Sequence, residues 1–159
     1  MRPKPFRTEI LNGDERFVRE TGSSTIWHRV FHRTLYADTD RSTWVYHAKY
    51  LHYFELGRAS LMRDFSYSYK EVEEDGFVYP IFDVSVNYHH PLGYDDPMWI
   101  HTRPGEMEKV RITFHYVITH QESGQIICKG HTKHCAMRAT GTVTGIDPKT
   151  VKIWEAFPT

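Results

Sequence analysis

Residues 36–63 read YADTDRSTWVYHAKYLHYFELGRASLMR, and the rest of the chain is read outward from them. Two aspartates, Asp38 and Asp40, lie in a turn-forming run ahead of a helix expected from about His47. Apolar residues cover most of that helix: Ala48, Tyr50, Leu51, Tyr53, Phe54, Gly57, Ala59, Leu61 and Met62. Lys49, His52, Ser60 and Arg63 form the polar line. A surface helix carries one apolar stripe, whereas one that is apolar nearly all round is buried. The pattern predicts a central helix enclosed by sheet.

Upstream, TIWHRVFHRTL (Thr25–Leu35) is rich in β-branched and aromatic residues and reads as a strand. Downstream, a short helix over Ser68–Glu74 stops at Gly76. Strands follow at Val78–His90, Met98–Arg103, Met107–His120 and Gln125–Arg138. They are separated by Pro91-Leu92-Gly93, Pro104-Gly105 and Glu122-Ser123-Gly124. The alternation is cleanest where Val110, Ile112, Phe114, Tyr116 and Ile118 share one face. The tail is loop with a final turn near Thr150–Glu155. Residues 1–24 are polar and charged. Within them Asn12-Gly13, between FRTEIL and ERFVRE, predicts a tight hairpin. Gly22-Ser23-Ser24 then marks a break, dividing the chain into an N-terminal extension (1–24) and a domain (25–159). One long helix with about five mostly antiparallel strands makes an α+β domain.

A chain of 159 residues can bury a substantial single core. Twenty basic and twenty acidic residues cancel, against the clustered positive charge a general nucleic-acid binder needs. No apolar run is long enough for a membrane helix. The start, MRPKPFRTEI, has no apolar run behind its basic residues, so no signal peptide is expected. Cys128 and Cys135 fall seven residues apart on one expected strand, too distant for a disulfide. They read as reduced thiols in a cytoplasmic protein. Eleven histidines invite a metal reading, with His28 and His32, His89-His90, and His131, His134 and Cys135 as the tightest groups. None has a zinc-site spacing, so half-exposed strand histidines and no metal are expected.

Asp38, Asp40, Ser42 and Thr43 could all serve as helix caps or turn-formers. A functional reading uses the same residues differently. The first turn of a helix carries unpaired N–H donors and the positive end of the dipole. Such donors can hold the negative oxygen that develops when a carbonyl is attacked. A nearby Asp could attack that carbonyl or activate water.

Tyr36-x-Asp38-Thr39-Asp40, then Val45-Tyr46-His47, Tyr50 and Phe54-Glu55, resembles the hotdog-fold acyl-CoA thioesterases, in particular the 4-hydroxybenzoyl-CoA thioesterase and YbgC-like branch. The likeness is specific over residues 36–63. It is looser through Gly76, Pro91, Asp95-Asp96 and Thr102, and does not reach residues 1–24. It implies a helix wrapped by an antiparallel sheet, a homodimer or dimer of dimers, and active sites between subunits. It implies an acyl-CoA substrate and no cofactor beyond the CoA that the substrate carries. Asp40 matches the family's catalytic carboxylate, as nucleophile or general base. His47 matches the helix start whose N–H polarises the thioester carbonyl, and its imidazole and Tyr36 match site residues. Asp38 corresponds to a turn-bracing carboxylate. Glu55 matches a helix Glu that some relatives use, although pairing with Arg58 is the plainer expectation.

Trp44 and Val45 fall beside the acyl group, and Trp44 would either shape that pocket or fill the core. Arg103, Lys109 and Arg111 lie where relatives contact CoA phosphates. At Thr43 the family usually has glycine, which reaches positive φ without the strain a β-branched residue meets. Two rival functions share this reading: a module that binds acyl-CoA without cleaving it, and a hydratase or dehydratase moving a proton on the acyl chain.

Overall fold

The computed structural model of the chain describes residues 4–159; the first three residues of the basic start lie outside the described residues. The expected N-terminal hairpin is present as β1 (Thr8–Leu11) and β2 (Asp14–Glu20). Asn12 and Gly13 between them both take positive φ, 52° and 74°, as a mirror-type hairpin turn requires. The hairpin is continuous with the main sheet, because β2 pairs with β3 (Ile26–Arg33).

Next come α1 (Lys49–Asp64), α2 (Tyr69–Glu74), β4 (Phe77–Val78), β5 (Ile81–Tyr88) and β6 (Pro97–Met107). They are followed by β7 (Arg111–His120), β8 (Ile126–Cys135), β9 (Met137–Arg138) and α3 (Pro148–Ala156). Seven strands form one antiparallel sheet in the order β1-β2-β3-β6-β7-β8-β5, and β4 pairs separately with β9. The sheet thus exceeds the five strands expected. The increase is the hairpin, β1 and β2, while the split of the 78–90 and 125–138 runs yields the separate β4–β9 pair.

The helix lies across one face of the sheet rather than inside it. Tyr50, Tyr53, Phe54, Gly57, Leu61 and Met62 are buried, whereas Leu51 remains 39% exposed. Its partners are the alternating residues Ile112, Phe114, Tyr116 and Ile118 of β7. Phe54 stacks flat on Tyr116, centroids 4.2 Å apart, and its complete burial contributes on the order of 2–3 kcal/mol. Gly57 lets the helix backbone come down on β6: a Cβ there would overlap Thr102 Oγ1 and lie 2.8 Å from Ile100 Cγ2.

The opposite face of the sheet carries a smaller cluster of Val18, Trp27 and Val117, covered by Phe6. The Phe6 N–H donates to the Gly124 carbonyl at 2.8 Å, and the Phe6 ring stands edge-on to Trp27 and His101. His28, His101 and His134 are fully buried, which corrects the expectation of half-exposed strand histidines. Burial lowers His101 to about 3 and His134 to about 4, so both are neutral core residues. His134 Nδ1 hydrogen-bonds the Tyr79 carbonyl while Nε2 meets Thr132 Oγ1. Among the described residues no His, Cys, Asp and Glu side chains group to hold a metal, and both cysteines are free. Among the described residues no helix is long and apolar enough to cross a membrane.

Candidate active site

The acidic stretch folds as a single 3-10 turn (Tyr36–Asp38) followed by a tight loop back onto itself. The Asp40 N–H donates to the Trp44 carbonyl, and the Thr43 N–H donates to the Asp40 carbonyl, both at 3.0 Å. A bridge from Thr39 to Val45 and another from Trp44 to Gly93 pin the loop. Asp38 braces it from within. Its buried carboxylate accepts from the Leu35 N–H at 3.1 Å and from the Tyr53 hydroxyl at 2.8 Å. Thr43 sits at φ 73°. The chain keeps the left-handed bend that favours glycine and accepts the strain of a β-branched side chain there.

Asp40 projects from this loop, exposed in the single chain. Its Oδ1 accepts hydrogen bonds from the Ser42 N–H at 2.7 Å and from the Ser42 hydroxyl. The Ser42 hydroxyl and amide, with a smaller contribution from the nearby His47 imidazole, hold the carboxyl below the usual aspartate range. Asp40 is therefore a charged carboxylate at neutral pH. It makes a local turn and does not cap α1.

No side chain caps α1. The helix begins at Lys49, two residues later than expected, with Ala48 as its N-cap residue and His47 in the turn ahead. The Tyr46 carbonyl accepts from the Lys49 N–H at 2.9 Å, and the His47 carbonyl accepts from the Tyr88 hydroxyl at 2.7 Å. The N–H groups of His47 and Ala48 have no acceptor among the described residues. A natural cap would normally be worth about 1 kcal/mol, and an uncapped start with a Lys in its first turn instead leaves a place for an anionic atom. Beside it an open groove of ≈ 270 Å³ runs between Val45, His47 and Tyr50 on one side and Tyr88, His89 and His90 on the other.

The other expected site residues are distributed less compactly. Tyr36 is 76% exposed, its ring edge-on to Tyr94 at 5.6 Å rather than against Asp40. Trp44 lies over Gly93 and is 48% exposed, so it fills no core, and it does not line the groove, whereas Val45 does. Glu55 is exposed, and no ion pair joins it to Arg58, whose guanidinium turns inward and leaves Nη1 buried without a hydrogen-bond partner. Arg103 lies over the Trp27 ring on the other face of the sheet. Arg111 lies over Phe82 in a shallow groove of ≈ 160 Å³, and Lys109 is exposed in the β6–β7 turn. Arg111 begins β7, whose far end at Ile118 is the one near the groove, roughly 20 Å away at about 3.3 Å per residue. One chain does not bring these three basic residues to Asp40.

Three groups were not read as parts of the site: Ser42, the Ala48 N–H and Tyr88. Tyr88 is separated by one residue from Val86 and Val84, so its side of the strand was readable. Its closeness to the helix start depends on β5 lying beside β8 at the edge of the sheet, which periodicity does not encode.

A long helix across an antiparallel sheet, entered through a carboxylate-bearing turn, defines a hotdog-fold protein. The Thioesterase-like superfamily matches residues 34–156, and the chain belongs to it. It is 31% identical over 99 residues to the provisionally assigned acyl-CoA thioesterase YneP of Bacillus subtilis, covering 62% of this chain and 71% of the relative. It is 28% identical over 91 residues to the acyl-CoA thioester hydrolase YbgC of Escherichia coli, covering 57% and 68%. A 1,4-dihydroxy-2-naphthoyl-CoA thioesterase from Synechocystis superposes with a TM-score of 0.77 over 82% of this chain and 97% of its own. At 17% identity that last likeness concerns the fold alone.

Proposed function

We propose that the protein hydrolyses an acyl-CoA thioester to the free acid and CoA, working as a homodimer. What supports this reading is an ionised Asp40, held charged by Ser42 and influenced by the His47 imidazole, together with a helix start whose His47 and Ala48 N–H groups have no acceptor among the described residues. The thioester carbonyl would lie with its oxygen toward the N–H groups of His47 and Ala48. Asp40 attacks the carbonyl carbon as nucleophile, giving an acyl-enzyme anhydride that water then hydrolyses to the free acid, or it removes a proton from the water that attacks directly. In either route the two amides meet the charge growing on oxygen, and the CoA sulfur departs as thiolate.

The homodimer follows from what the single chain leaves open. β5 has a neighbour on one side only and exposes Ile81, Phe82, Val84 and Tyr88 at 41%, 51%, 40% and 52%. An unpaired apolar edge of this length is a template for another strand. Two-fold pairing of β5 with its copy would be antiparallel. It would cover the groove and Asp40, and bring the Arg111 and Lys109 end of one copy beside the His47 end of the other. The expected CoA-phosphate contacts then come from the second subunit, with Val45 and Tyr50 beside the acyl group.

Thiol release measured across aliphatic, aromatic and hydroxylated acyl-CoAs tests the reading. Turnover on at least one substrate is expected, with Asp40→Asn reducing it by about 100-fold or more while acyl-CoA binding persists. Tight binding with no thiol release would indicate a non-catalytic binding module, and hydration of an enoyl-CoA would indicate the hydratase reading.

A further inference from the structure

Resting on the hydrolase reading above, we propose that Tyr88 is a positioning residue for the reaction: its hydroxyl holds the His47–Ala48 peptide so that the Ala48 N–H faces the thioester oxygen. The observation is the 2.7 Å hydrogen bond from the Tyr88 hydroxyl to the His47 carbonyl, made between the edge strand and the turn before α1. A peptide unit is a rigid plane in which C=O and N–H point in opposite directions. Fixing the carbonyl oxygen of His47 therefore fixes the direction of the Ala48 N–H. A hydrogen bond accepted at C=O also polarises the amide and strengthens its N–H as a donor.

The two free donors are served differently. The Tyr46–His47 peptide is tied by the helix's own backbone, through the Lys49 N–H at 2.9 Å. The His47–Ala48 peptide gets its tie from a side chain 41 residues away in sequence. No other donor among the described residues reaches that carbonyl, so without Tyr88 nothing there holds it. The phenol is itself located by Tyr50, edge-on at 5.3 Å. Burial pushes the Tyr88 hydroxyl above its ordinary range, so it remains a protonated donor.

The test compares the wild-type protein with Tyr88→Phe, which keeps the ring against Tyr50 and removes only the hydroxyl. Thiol release is followed on the best acyl-CoA of the panel. The expected result is a kcat lowered about 5- to 10-fold with KM within about twofold, as loss of one indirect hydrogen bond to a reacting-site donor would give. The acid limb of the pH profile stays in place, because Asp40 is untouched. Infrared spectra of a carbonyl-labelled acyl-CoA bound to Asp40→Asn supply a second measurement. Adding Tyr88→Phe moves the bound carbonyl band to higher frequency as the donor weakens. An unchanged kcat, a change in KM alone, a stationary carbonyl band, or a kcat loss that merely follows a lowered melting temperature overturns the proposal. A wild-type protein that releases thiol from no acyl-CoA sinks the hydrolase reading first, and this inference with it.

Discussion

Ser42 keeps Asp40 charged: its amide and hydroxyl converge on one carboxylate oxygen, and the anion is favoured without burial. Because the folded carboxyl is depressed, the anion persists as pH falls and is lost only below the ordinary aspartate range. Ser42→Ala removes one donor and leaves the amide. The acid limb of kcat/KM should then move to higher pH, toward an ordinary aspartate, with the plateau little changed; a pH–rate profile measures this. The two aspartates could be picked out of the sequence as candidate chemistry. Their division of labour depends on which one the loop buries: Asp38 is enclosed by Leu35 and Tyr53, and Asp40 is not. Thr43 shows the limit in the other direction. A β-branched residue type argued against a positive φ here, and yet the backbone holds φ 73° because hydrogen bonds on both sides of it close the loop.

Among the elements, α1 depends on one small residue. Gly57→Ala would drive a methyl group into Thr102 and Ile100, lifting the helix from β6. The expected cost is about 1–3 kcal/mol, read as a lower denaturant midpoint. What could be read from sequence here was the local pattern: the 107–120 alternation, the Asn-Gly hairpin and the short helix capped by Ser68, whose side chain accepts from the Glu71 N–H at 3.2 Å. Readings that needed neighbours failed. Pro104-Gly105 was expected to end a strand, but β6 runs through it to Met107. Its pairing with β3 stops at Thr102, so beyond that point β6 has β7 alone as neighbour and the missing proline N–H costs no ladder bond. The all-round apolar helix was expected to be enclosed, but the sheet covers it on one side. Leu51 is left 39% exposed.

For the whole molecule, the edge of β5 is the decisive feature. Val84 lies on the helix-facing side of that strand, opposite Thr132, and is 40% exposed. Val84→Lys places a charge on the proposed contact without touching the Asp40 loop. Light scattering should report a shift from dimer to monomer, and thiol release should fall in step, because the groove loses its cover.

The N-terminal hairpin has a different consequence. Arg16 on β2 approaches Asp64 at the end of α1 at 3.6 Å, and Asp64 in turn meets the buried His28 of β3 at 2.7 Å. The match to the superfamily starts at Thr34, after β3 has ended. A boundary drawn from likeness is therefore not a boundary of folding. A gene shortened to that point would discard three of the seven strands, remove both Phe6 and Trp27 from against His101, and leave β6 bare along its inner flank. Recombinant work on this protein is best begun from a sequence that keeps residues 4–33.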